Sequence, residues 1–264
     1  MPSKALSRAV PYCILLPPSY DAEKARRYPV LYFLHGLGDN EQMFLHSGGW
    51  NLIEDLWEQR HLGEFLIVTP AAGASFYINS RDGKQRYEDF FLREFVPAIE
   101  RRYRTEPGRT KRGIAGFSMG GYGALRLAFL HPELFGSVSV HSAALMEKLP
   151  AIGVAAAEQS PRMKLLGDVF GSPPDREFWD RNNPLTLARA ARIEGLKIYF
   201  DCGADDGYGF NAGAVTLDKI LLSRHIPHEF HINPGGHDWE YFATQLPASL
   251  AFEARVFGLP RASK

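Results

Sequence analysis

Gly113-Ile114-Ala115-Gly116-Phe117-Ser118-Met119-Gly120-Gly121-Tyr122-Gly123-Ala124 is the stretch that decides the fold. Gly113 to Phe117 is short and apolar, the signature of a buried strand. Met119 to Leu130 is rich in Ala, Leu and Gly and reads as a buried helix. Between them, Gly116-Phe117-Ser118-Met119-Gly120 has the form G-x-S-x-G. A turn this sharp strains the serine backbone, and residues two before and two after must lie close to neighbouring chain, so both are glycine. The turn lifts the Ser118 hydroxyl clear of the sheet. The following helix aims its N-terminus there, which favours developing negative charge.

The pattern extends in both directions. Tyr12–Leu16, Val30–Leu34 and Phe65–Val68 read as strands upstream; Ser137–His141, Leu196–Phe200 and Glu229–Ile232 read as strands downstream. Helical spacing appears over Trp50–Arg60, Glu88–Arg102, Ala212–Arg224 and Trp239–Phe257, with Pro97 set against an uninterrupted helix in the second. Strand and helix alternate almost throughout, which predicts an α/β fold with a mostly parallel central sheet covered by helices on both faces. The rhythm slackens from Ala143 to about Ile193, a proline-marked stretch without a clear strand. The expectation is a single domain, 1–264, with a helical, lid-like insertion at about 143–193.

A serine hydroxyl is a weak nucleophile and needs a base. Of nine histidines, His237 is the candidate: it follows the last strand, inside Gly235-Gly236-His237-Asp238-Trp239. His61, His131, His225 and His228 are expected in solvent, His231 as a structural residue, and His46 in a loop near the site. His35 reads as a brace for its own loop. The third member is an acid after the preceding strand, and Asp205 and Asp206 both qualify. The resulting order Ser…Asp…His is that of an α/β-hydrolase. An oxyanion hole needs two backbone N–H donors. Met119, directly after Ser118, offers one, and Leu37, in the loop Leu34-His35-Gly36-Leu37-Gly38, offers the other.

Composition narrows the partners. Lys plus Arg number 30 and Asp plus Glu 30, so the formal charge is zero. No basic run marks a nucleic-acid surface. No segment is apolar for long enough to span a membrane, and the N-terminus lacks a signal-peptide pattern, so the expectation is a cytoplasmic chain. Two cysteines, Cys13 and Cys202, read as free thiols without metal-ligand spacing. Cys202 lies four residues before Asp206, so thiol reagents are expected to disturb the acid loop.

These residues resemble the esterase D or putative esterase family of α/β-hydrolases, which holds S-formylglutathione hydrolases, tributyrin-type carboxylesterases, feruloyl and acetylxylan esterases, and the antigen 85 mycolyltransferases. The resemblance runs through Leu16-Pro17-Pro18-Ser19-Tyr20, Tyr28-Pro29-Val30-Leu31, His35-Gly36, Ser75-Phe76-Tyr77-Ile78-Asn79-Ser80, Tyr87-Glu88-Asp89-Phe90, the Ser118 stretch and Gly235-Gly236-His237-Asp238-Trp239. It implies that the acid closes a Gly-x-x-Asp run, which in Gly203-Ala204-Asp205-Asp206 selects Asp206. It implies a triad of Ser118, Asp206 and His237 that needs no cofactor and no metal.

The loop Leu37-Gly38-Asp39-Asn40 and the lack of Pro-Trp-Gly after His141 depart from S-formylglutathione hydrolases. The resemblance therefore implies a short-acyl carboxylesterase acting on a small-molecule ester. The alternatives are an acyltransferase or a carbohydrate-linked feruloyl or acetyl esterase; a non-catalytic binding module is the remaining reading. Trp50, Phe76, Tyr77 and Trp239 are the expected aromatic wall of the pocket. Dimers occur in the family, which makes a homodimer the assembly to test for.

Overall fold

The computed structural model describes residues 1–148 and 161–259. The chain starts with a small antiparallel pair, β1 (Pro2–Ser3) and β2 (Arg8–Ala9), which no sequence pattern announced. The central sheet then collects β3 (Tyr12–Leu15), β4 (Val30–Leu34), β5 (Leu66–Pro70), β6 (Arg112–Phe117), β7 (Ser137–His141), β8 (Lys197–Gly203) and β9 (Glu229–Asn233). Its seven strands run in the order β3-β5-β4-β6-β7-β8-β9. Only β3 is antiparallel to its neighbour; the other pairs are parallel.

Helices cover both faces, and the strand side chains divide between them. Val30, Tyr32 and Leu34 of β4 join one apolar cluster, while Leu31 and Phe33 join the other. All five β4 residues are buried, as expected of a strand covered on both sides. The elements α1 (Met43–His46), α2 (Gly49–Glu58) and α3 (Tyr87–Asp89) come first. A π-helical turn, Phe90–Phe95, joins α3 to α4 (Val96–Arg102). The helical run read over Glu88–Arg102 is thus real but changes its winding just before Pro97, whose ring cannot follow an ordinary helical turn. Then come α5 (Met119–Leu130), α6 (Pro161–Phe170), α7 (Arg176–Asn182), α8 (Pro184–Ala190), α9 (Phe210–Ser223) and α10 (Trp239–Val256).

The stretch 143–193 holds α6, α7 and α8 and no strand among its described residues; positions 149–160 of it lie outside them. No helix among the described residues is long and apolar enough to cross a membrane.

The strand order places the chemistry. Connections run outward from β4 on one side and from β6 on the other, so chain direction across the sheet reverses between these two strands. In open α/β sheets a crevice opens outside the carboxyl ends of the strands at such a point. The loop after β4 and the turn after β6 both end there.

Candidate active site

Ser118 follows β6, the middle strand of the sheet, and sits at φ 57° and ψ −116°. This left-handed geometry is uncommon for a residue with a β-carbon and marks local strain. Backbone hydrogen bonds hold it: the Ser118 N–H donates to the His141 carbonyl (3.0 Å), and the Ala144 N–H donates to the Ser118 carbonyl (3.0 Å). The flanking glycines are required by contact. A β-carbon on Gly120 would overlap the Leu34 carbonyl, and one on Gly116 would overlap the Gly120 backbone.

His237 lies beyond β9, where Gly235 turns at φ 127°. Its Nε2 is 2.9 Å from Ser118 Oγ, and its Nδ1 is 2.8 Å from Asp206 Oδ2. The Asp206 carboxylate also accepts from the Tyr208 N–H (2.8 Å) and the Cys202 thiol (3.4 Å). Burial would raise this carboxyl, but the hydrogen bond and charge of His237, with the Tyr208 and Cys202 donors, outweigh it and hold Asp206 below the usual carboxylate range. Asp205 is exposed, and among the described residues only its backbone is engaged, with its N–H donating to the Gly235 carbonyl (3.0 Å). The residue pair that the loop left open is thereby separated: Asp206 alone reaches the imidazole. Phe117, Tyr208 and Phe210 surround that imidazole, with ring centroids 5.0, 4.7 and 5.4 Å away.

Among the described residues, neither the Leu37 nor the Met119 backbone N–H has a hydrogen-bond acceptor, and both residues line the cavity beside Ser118. The loop before Leu37 is pinned by His35, whose buried Nε2 accepts from the Ala72 N–H (2.9 Å) while Nδ1 faces the Gly36 carbonyl (2.8 Å). Nδ1 therefore carries the proton and the ring is neutral; burial also pulls its pKa down. His35 braces its loop, in the role read for it.

The cavity measures about 430 Å³ and is lined by Gly36, Leu37, Phe76, Phe117, Ser118, Met119, Ala144, Met146, Leu165, Leu166, Tyr208, Phe210 and His237. Of the four aromatics expected in its wall, Phe76 is present. Tyr77, Trp50 and Trp239 are not among the lining residues and must be reassigned. Tyr77 is fully buried, donates its hydroxyl to the His35 carbonyl (3.0 Å) and wedges against Gly123, so it buttresses the β4 loop from behind. Trp239 packs on Gly49 and Phe242, and Trp50 packs on the same apolar cluster.

Sequence reasoning missed Phe117, Tyr208 and Phe210 in the wall. Their nearness to Ser118 and Asp206 along the chain was the available signal. Met146, Leu165 and Leu166 had none, because they come from the stretch without rhythm. His46 is exposed and outside the cavity lining, while His231, though exposed, lies in β9 with its ring packed on Tyr199 (5.7 Å between centroids). His131 and His228 are not free in solvent but pair with Glu88 (3.0 Å) and Asp218 (2.9 Å). Among the described residues no cluster of His, Cys, Asp and Glu is arranged to hold a metal ion.

Residues 3–252 match the family model described as "Putative esterase". The chain belongs to the putative esterase family. Among curated members, Esterase Rv1288 of Mycobacterium tuberculosis is 32% identical over 244 residues, spanning 85% of this chain and 51% of that protein. The acetyl esterase of Caldicellulosiruptor saccharolyticus is 25% identical over 229 residues, spanning 86% of this chain and 83% of that one. A solved ferulic acid esterase superposes with a TM-score of 0.82 at 28% identity, covering 98% of this chain and 96% of that one. The chain spans about half the length of Rv1288. The α/β-hydrolase fold anticipated from the Ser118 stretch is the fold of this family.

Proposed function

We propose that this member of the putative esterase family is a serine carboxylesterase that hydrolyses short-acyl esters of small molecules through Ser118, His237 and Asp206. The observation that carries the reading is the continuous pair of hydrogen bonds, Ser118 Oγ to His237 Nε2 and His237 Nδ1 to Asp206, opening on a cavity with two unengaged amides. His237 takes the Ser118 proton as Oγ attacks the ester carbonyl, and Asp206 holds the imidazole and stabilises its charged form. The Leu37 and Met119 amides receive the oxyanion. His237 returns the proton to the leaving alcohol. Water then enters, loses a proton to His237 and cleaves the acyl-enzyme.

Hydrolysis of p-nitrophenyl acetate and butyrate, with Ser118→Ala as control, tests this. Activity surviving in Ser118→Ala would refute the nucleophile. A second reading, an ester of an aromatic acid or of a carbohydrate, is favoured by the aromatic wall of Phe76, Phe117, Tyr208 and Phe210 and by the names of the acetyl and ferulic acid esterases above. Comparing methyl ferulate and acetylated xylan with p-nitrophenyl esters from acetate to decanoate separates the two. Adding an alcohol acceptor and analysing the products separates hydrolysis from acyl transfer.

A further inference from the structure

A second set of polar side chains lies buried under the site, and the reaction above does not use it. Strand pairing sets His141 of β7 beside Asp201 of β8. Both side chains are fully buried, with His141 Nδ1 2.8 Å from Asp201 Oδ2. The other imidazole nitrogen, Nε2, is 2.7 Å from Ser249 Oγ. Two tyrosines complete the carboxylate: Tyr199 donates to Oδ2 (3.0 Å) and Tyr241 to Oδ1 (2.8 Å). A buried ionisable pair is weak evidence for stability, since well-packed apolar residues often do as well. Its location points to a different use.

The set reaches the backbone behind all three site residues. The His141 carbonyl accepts the Ser118 N–H (3.0 Å), and the Asp201 carbonyl accepts the Ser142 N–H (2.8 Å). Cys202, next to Asp201, donates to the Asp206 carboxylate. The Tyr241 ring presses on Gly235, where a β-carbon would come within 2.8 Å of it. Gly235 starts the turn that presents His237, and its carbonyl accepts the Asp205 N–H (3.0 Å).

We propose that Asp201 and Tyr241 are positioning residues for the reaction. Asp201 fixes the Tyr241 hydroxyl, the Tyr241 ring fixes the Gly235 turn, and the turn fixes the His237 imidazole between Ser118 and Asp206. The inference rests on the Ser118–His237–Asp206 reading. Tyr199 supplies the internal comparison: it bonds the same carboxylate, but its ring lies against Phe252, His231 and His141 rather than against Gly235.

The test measures kcat, KM and thermal unfolding for Tyr241→Phe and Tyr199→Phe, each of which loses one hydroxyl. Tyr241→Phe is expected to lower kcat by about tenfold, because small misplacements of a base are expensive, while KM stays within about twofold. Tyr199→Phe is expected to lose comparable thermal stability and keep kcat within about twofold. Wild-type kcat in Tyr241→Phe overturns the proposal, and so does an equal kcat loss in both variants. Should Tyr241→Phe fail to fold, Tyr241→Phe combined with Asp201→Asn carries the same expectation: it replaces the carboxylate oxygen left without its tyrosine donor and keeps the other for His141 and Tyr199. Ser118→Ala runs in the same assay; activity there would overturn the underlying reading instead.

Discussion

Three donors meet the Asp206 carboxylate, from His237, Tyr208 and Cys202. Asp205, one residue earlier, is in solvent. Asp206→Asn sets an amide against the imidazole, which favours the wrong tautomer and no longer stabilises its charged form, and is expected to lower kcat about ten-thousand-fold, the scale seen when a triad acid is neutralised in a serine protease. Asp205→Asn is expected to stay within about twofold, as exposed substitutions do; equal losses would mean that the acid is misassigned. Cys202 bears on the thiol-reagent expectation. Its thiol is fully buried and is pushed up to about 12, first by burial and then by the Asp206 charge. The thiolate is the reactive form, so iodoacetamide at neutral pH is expected to leave Cys202 unlabelled and esterase activity intact, read by mass spectrometry and assay. The turns that carry Ser118 and His237 and the loop after β4 were legible in the sequence because sharp turns demand glycine at fixed offsets. The loop's residues alone left Asp205 and Asp206 open, since side-chain direction in a loop depends on the strand beside it; only the family resemblance, through its Gly-x-x-Asp run, pointed to Asp206.

The long closing helix α10 does two jobs at once. Its first turn, capped by Asp238 (2.9 Å to the Tyr241 N–H), stands directly after the His237 turn. Its far end places Glu253 under the sheet with no exposure, taking hydrogen bonds from the hydroxyls of Ser137 and Ser139. Burial raises this carboxyl to about 7 despite those hydroxyls. A carboxyl that binds its proton more tightly when folded stabilises the fold most below its unfolded value, near pH 4. That stabilisation is lost as pH rises through about 7. Urea unfolding of wild type and Glu253→Gln from pH 5 to pH 8 is expected to show wild type losing up to ~3 kcal/mol relative to the variant. Parallel pH profiles would refute it. Elements with a clear period were read correctly in type: the buried strands, α2, α5, α9 and α10. The small β1–β2 pair escaped because two-residue strands carry no period. The π-helical turn before Pro97 escaped because a change of winding leaves the apolar spacing nearly intact.

Over the whole chain, positive and negative charges balance at 30 each, and among the described residues no Asp, Glu, Lys or Arg lines the cavity. The described lining thus offers neither a net-charge field nor a local charge suited to an ionic substrate. Turnover of a neutral ester is therefore expected to change less than about twofold between about 0.05 and 0.5 M salt. A steep salt dependence would point to a charged substrate site. The left-handed backbone at Ser118 also bears on the molecule as a whole. A side chain held there costs about 1–3 kcal/mol, and glycine escapes most of it. Ser118→Gly is thus expected to outlast Ser118→Ala in thermal unfolding, although neither hydrolyses an ester; equal melting temperatures would deny the strain. The fittest fold and the proposed catalyst are then different sequences, and any selection for heat resistance alone would drift toward erasing the serine of the G-x-S-x-G turn.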